Sequence, residues 1–116
     1  MKTQKEQIEG LCHLVANEFD KRLEGDIIGL CFKQGIWHYA FRLPDGRVLD
    51  KHGIHESEKE FLEVSGKEWP GPVFNLVETD ISEECIQVFS KEEIQKSRRF
   101  ALKIINRLPN NGRKRA

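Results

Sequence analysis

A cysteine, a histidine and an aspartate, in that order, are the residues of this chain whose types and placement could do chemistry: Cys12, His38 and Asp50. A thiol attacks an amide only as thiolate, and an imidazole within hydrogen-bond reach can take its proton and later deliver one to the leaving amine. A carboxylate on the other ring nitrogen fixes the tautomer and the orientation of that imidazole. With Cys12 as nucleophile, His38 as general base and acid and Asp50 as orienter, the chemistry would be amide hydrolysis through a thioester, without a cofactor or metal. Taken singly, each residue has an ordinary structural role: a core cysteine, a satisfied sheet histidine, an end-of-strand cap. Their joint placement is what favours catalysis, so the elements that carry them decide the matter.

The first element is a helix. Thr3 and Glu6 form a capping box, and Ile8, Leu11, Cys12, Val15, Phe19 and Leu23 recur at helical spacing until Gly25. At about 100° per residue from Ile8, Cys12 falls roughly 40° round, inside the apolar stripe, and His13 roughly 140° round, nearly opposite. The thiol is therefore expected to face the sheet that the helix covers. A helix starting at Thr3 puts Cys12 in its third turn; only a break near Gly10 would bring it to the first.

Three β-rich runs follow, at residues 26–33, 36–43 and 47–51, and predict an antiparallel meander. Leu43-Pro44-Asp45-Gly46 is the informative turn. Pro suits the first central position of a type I turn, Asp the second, and Gly a following left-handed position, giving a three-residue loop in which Leu43 pairs with Arg47. Counting back, Phe41 opposes Leu49, Ala40 opposes Asp50 and His38 opposes His52. His38 and Asp50 then share a face as diagonal neighbours about 7–8 Å apart at the backbone. A two-residue hairpin at Gln34-Gly35 would set Cys31 across from His38, making it a competing nucleophile. The face would read Gly29, Cys31, His38, Ala40, Val48, Asp50 and His52, with the N-terminal helix over it. Ile28, Leu30, Phe32, Trp37, Tyr39, Phe41 and Leu49 would lie on the other face under a C-terminal helix.

Further on, Ser57-x-x-Glu60 opens a short helix to about Val64, residues 65–72 form a loop, and residues 72–79 and 85–89 suggest two more strands. Ser90-x-x-Glu93 caps a last helix whose buried side is Ile94, Ala101, Ile104, Ile105 and Leu108. The fold class is α+β: an N-terminal helix on a small antiparallel sheet, with a C-terminal helix. Residues 1–108 form one domain, and residues 109–116 a basic, disordered tail.

The segments Gly10-Leu11-Cys12-His13-Leu14-Val15-Ala16 and His38-Tyr39-Ala40-Phe41-Arg42-Leu43-Pro44-Asp45-Gly46-Arg47-Val48-Leu49-Asp50-Lys51-His52-Gly53 resemble the papain-like cysteine hydrolase superfamily in its small bacterial and phage versions. These include peptidases, amidases, transglutaminase relatives and glutamine deamidases. The resemblance spans roughly residues 8–62, and its more specific part is the histidine-led strand running into Asp-Gly-Arg and then an aspartate. It implies a papain-like core and a nucleophile at the first turn of its helix; a chain this small has little extra surface for a deep specificity cleft, so a protein or short-peptide substrate held at the surface is expected. The alternative is a non-catalytic binding module, such as a phage or mobile-element accessory protein, with the basic tail as its docking element.

Composition narrows the partners. The 116 residues carry 19 Lys/Arg and 19 Asp/Glu, so bulk charge points to neither nucleic acid nor membrane. Residues 91–116 nevertheless hold nine Lys/Arg against two acids, and the first ninety carry the balancing negative excess. Phe100 is the lone aromatic there, which leaves no stacking surface for single-stranded nucleic acid and makes a solvated basic face the simpler expectation. No apolar run reaches the roughly 20 residues of a membrane span, and no signal segment follows the start, so a cytoplasmic location is expected. The three cysteines, at spacings of 19 and 54, match no zinc or redox pair and suggest free thiols. Asp50, His52, His55, His38 and a cysteine are zinc ligands by type, but no cysteine pair accompanies them. Neither substrate identity nor oligomeric state follows from the sequence.

Overall fold

The computed structural model describes residues 11–32, 35–68, 75–81 and 86–108. Helix α1 (Cys12–Arg22) leads into strands β1 (Asp26–Phe32), β2 (Gly35–Arg42), β3 (Val48–Asp50) and β4 (Gly53–His55); helix α2 (Glu58–Glu68), strand β5 (Asn75–Glu78) and helix α3 (Lys91–Ile105) complete the order. The α+β architecture is as expected, with an N-terminal and a C-terminal helix on one antiparallel sheet of order β4-β3-β2-β1-β5. No helix of the described residues is long and apolar enough to cross a membrane.

The turn at Pro44-Asp45-Gly46 sets the register of the β2–β3 hairpin. The Leu43 N–H donates to the Arg47 carbonyl at 2.8 Å, Gly46 takes a φ of +96°, and the Arg47 N–H is held by Asp45 Oδ1 at 3.0 Å. Phe41 therefore pairs with Leu49 and Arg42 with Val48, the register that the three-residue loop predicts.

The β1–β2 hairpin departs from expectation. Leu30, not Cys31, stands across from His38; Cys31 pairs with Ile36 and Phe32 with Gly35, with a register shift between Leu30 and Cys31. A slip of one residue turns every side chain of a strand to the opposite face. Ile28 and Leu30 consequently join His38, Ala40, Val48 and Asp50, and the Cys31 thiol is not placed opposite His38 as a competing nucleophile.

Helices α1 and α3 pack together on the other face. Val15, Ala16, Phe19 and Leu23 of the first meet Ala101, Ile104 and Ile105 of the second over Ile27, Phe41 and Leu49. The helix carrying Cys12 thus covers the bulky face that was assigned to the C-terminal helix alone. The same register shift explains this, because an apolar β1 residue and not Gly29 stands beside Ala40, so the close approach on that side is lost. Buried Glu18 fastens the two helices, pairing with Arg22 within α1 and lying 3.5 Å from Arg98 of α3. Beneath α2 is a smaller cluster of Ile28, Leu30, Ala40, Val48 and Phe61. Arg42 pins that side, bonding Glu58 of α2 at 2.7 Å and pairing with Glu78 of β5.

Other elements differ locally. The Ser57 hydroxyl accepts from the Glu60 N–H as expected, but α2 continues through Ser65 and Gly66. An interior glycine costs only about 1 kcal/mol, which packing readily overrides. Residues 86–89 make a helical turn, not a strand, closed by Phe89 N–H to the Ile86 carbonyl at 3.1 Å. Strand β4 follows β3 directly, enabled by the positive φ of Gly53, +108°. The Ser90 capping box forms with both of its bonds. The Thr3 capping box, the turn at Lys33 and Gln34, Cys85 and the tail lie outside the described residues.

Candidate functional site

Cys12 opens α1. Leu11 is the N-cap, with non-helical dihedrals of φ −105° and ψ 18°, so the helix does not run unbroken from Thr3 and the thiol sits in the first turn. Leu11 supplies no side-chain acceptor and the first turn holds no acid. The positive end of the helix dipole therefore favours an anion at Cys12.

That turn meets the sheet where β3 has already left β2. The last β2–β3 pair is Phe41 with Leu49, and beyond it the edge of β2 is not covered by β3. There the Cys12 sulfur interacts with the backbone of Tyr39 and with the rings of His13 and His38. His13 was expected to point away; its ring instead packs 5.8 Å from Tyr39 and 4.8 Å from Phe89, centroid to centroid, which turns it toward the sulfur.

His38 is buried, and its Nε2 lies 3.0 Å from Asp50 Oδ2. Asp50 therefore occupies one ring nitrogen and leaves Nδ1 for the thiol. Asp50 itself is 1% exposed and makes two bonds beyond the one the sequence suggests: besides His38, its Oδ1 lies 2.7 Å from His55 Nε2 and accepts the His52 N–H at 2.8 Å. Strand β3 supplies the carboxylate, the Gly53 turn folds β4 back beside it, and Asp50 pairs with Gly53 so that His55 arrives on the same face. Phe61 of α2 closes the network, stacked at 5.9 Å on His38 and edge-on at 5.5 Å to His55.

The electrostatics follow from this packing. Burial opposes ionisation of Cys12, but hydrogen bonds from His13, His38 and Tyr39, with the charge on His38, outweigh it and lower its pKa from 9.0 to about 6. Burial likewise disfavours the His38 cation, yet the bonds to Asp50 and Cys12 and their negative charges raise its pKa from 6.5 to about 9. Asp50 is pushed up by burial and held well below the usual carboxylate range by His38 and His55. Between about pH 6 and 9 the resting form is a thiolate beside an imidazolium.

The structure thus brings Cys12, His38 and Asp50 together and leaves Cys31 out. Sequence reasoning missed His55 as Asp50's second partner and His13 as a neighbour of the sulfur. A tight turn at His52-Gly53 was the available signal for the first, since it would have ended β3 at Asp50 and returned the chain two residues later. Among the described residues, no group of three or more His, Cys, Asp or Glu is arranged to hold a metal ion. Comparison with protein-family models, curated proteins and solved structures finds no match.

Proposed function

We propose that this chain is a papain-like, thiol-dependent amide hydrolase acting on a protein or peptide substrate, as a peptidase, amidase or glutamine deamidase. One observation carries the proposal: a half-buried thiol at a helix N-terminus faces an imidazole whose other nitrogen is bonded to a buried carboxylate.

In this reading the Cys12 thiolate attacks the amide carbon, and the oxyanion that forms lies at the first turn of α1, where backbone N–H groups lack intrahelical partners. The His38 imidazolium gives its proton to the departing amine or ammonia as the C–N bond breaks, leaving a thioester. Neutral His38 then takes a proton from water, the resulting hydroxide equivalent attacks the thioester, and the thiolate is expelled with the carboxylic acid product. Asp50 stays ionised throughout and stabilises each imidazolium. A reactive free thiolate suits a reducing compartment, which favours the cytoplasm. The test is incubation with a peptide and protein mixture in ¹⁸O-water. Wild type should release amine or ammonia and place ¹⁸O in the new carboxylates, and Cys12→Ala should do neither; equal activity of the two, or none from wild type, refutes the proposal.

A further inference from the structure

Two imidazoles meet the Cys12 sulfur, and the mechanism above uses one of them. His38 comes up from β2, is buried, and is tied through Nε2 to Asp50 at 3.0 Å. His13 comes from α1 itself, one residue past the nucleophile, and is half-buried. Its ring bonds the same sulfur. Aromatic contacts orient it: Tyr39 of β2 lies at 5.8 Å with an interplanar angle of 48°, and Phe89 meets it edge-on at 4.8 Å and 62°. Phe89 is fixed in turn, because its N–H bonds the Ile86 carbonyl and the α3 capping box begins at the next residue, Ser90. Ring packing of this kind sets the position of an imidazole without occupying its nitrogens.

The two rings suit different work. A buried imidazole bonded to a carboxylate is built to exchange protons. A half-buried imidazole on the helix side of the sulfur is built to donate a hydrogen bond to what the sulfur attacks. The oxygen of a tetrahedral adduct is carried on the atom bonded to sulfur, so a donor that reaches the resting sulfur needs little movement to reach that oxygen. The backbone supplies the rest of the hole: α1 makes its first bond from Val15 N–H to the Leu11 carbonyl, which leaves the N–H groups of Cys12, His13 and Leu14 without an intrahelical partner. Oxyanion holes combine such backbone groups with a side-chain donor, histidine among them.

We propose that His13 is a catalytic residue whose ring N–H, bonded to the resting thiolate, passes to the oxyanion when Cys12 attacks a carbonyl carbon. The assignment deepens the hydrolase reading and rests on it. In this step a sulfur lone pair forms the C–S bond, the carbonyl π pair moves onto oxygen, and His13 keeps its proton. Collapse of the adduct returns that pair to the carbonyl, expels the leaving group and leaves the thioester.

The experiment compares two reactions of the same thiolate in the full chain carrying Cys31→Ser and Cys85→Ser. Acylation by p-nitrophenyl acetate passes through an oxyanion and expels p-nitrophenolate, which needs no proton from His38. Alkylation by iodoacetamide displaces iodide at a saturated carbon and forms no oxyanion. Both require the thiolate, so its fraction cancels in the ratio of acylation to alkylation rates. His13→Phe keeps a ring between Tyr39 and Phe89 but loses the donor, and the ratio should fall about tenfold or more. His13→Asn and His13→Gln place an amide N–H near the ring's Nδ1 and Nε2 respectively, and at least one of them should bring the ratio to within about threefold of wild type. An unchanged ratio in His13→Phe, or a fall that neither amide reverses, overturns the assignment. The ¹⁸O-water test reads the hydrolase separately: a chain that fails it but shows this pattern keeps its His13 donor, whereas one that passes it with a ratio unmoved by His13→Phe has none.

Discussion

The two faces of one five-stranded sheet are built by different physics. Under α1 and α3 the contacts are almost wholly apolar, with Phe19, Phe41 and Leu49 sealed from solvent. Under α2 the apolar cluster is small and adjoins a buried chain of His38, Asp50 and His55. The first face gains stability from area removed from water, about 1.5–3 kcal/mol for each large side chain. The second is worth keeping mainly for what it does to the sulfur, since a buried charged network of this kind contributes little net stability yet is costly to break. Stability and reactivity are thus separated across the thickness of a single sheet.

Emptying the apolar face should be the most damaging change. Phe41→Ala is expected to lose about 3–5 kcal/mol, a large share of the 5–15 kcal/mol typical of a domain, and chemical denaturation will measure it. Breaking the polar face should do less to the fold and more to the thiol. Asp50→Ala leaves two imidazoles and the His52 N–H without their acceptor, and alkylation of Cys12 at pH 7 should slow on the order of tenfold as the thiol moves back toward its ordinary range.

The pH dependence sharpens the contrast. His38, with its pKa raised to about 9, contributes stability that is full below about pH 6.5 and lost as pH rises through 9. Cys12, lowered to about 6, contributes stability that is full above about pH 9 and lost as pH falls through 6. Across pH 6.5–9 the two slopes cancel, because folding merely moves a proton from sulfur to ring. Wild-type stability should be flat there, whereas Cys12→Ala should lose on the order of 2 kcal/mol over the same interval in urea titrations.

His55→Gln is expected to cost about 1–3 kcal/mol by leaving an Asp50 lone pair poorly satisfied, and to slow Cys12 alkylation less than Asp50→Ala does; calorimetry with alkylation rates separates the two. Cys31→Ser should have the smallest effect, leaving Cys12 alkylation unchanged, since Cys31 is paired along the strand with Ile36 and not with His38.

What was legible in the chain follows the same division. The register at the β2–β3 turn could be read because Pro44-Asp45-Gly46 favours one loop geometry, and that register put His38 and Asp50 on one face; the expected pairing of His38 with His52 fails because β3 ends at Asp50 and the chain turns at Lys51 and His52. Nothing comparable pins β1, where the shift after Leu30 reverses which residues share the His38 face. The start of α1 was misplaced because helical periodicity continues through Leu11 while the backbone there does not. His55 was hidden because a three-residue strand beginning at a glycine carries no alternation to detect.

The central claim is the activated thiol, and the pH profile of its alkylation tests it most directly. In a chain with Cys31 and Cys85 replaced by serine, iodoacetamide should modify Cys12 with a midpoint near pH 6, and adding His38→Ala should raise the midpoint toward the free-thiol value of about 8.5. A wild-type midpoint already near 8.5, unmoved by His38→Ala, would contradict the account.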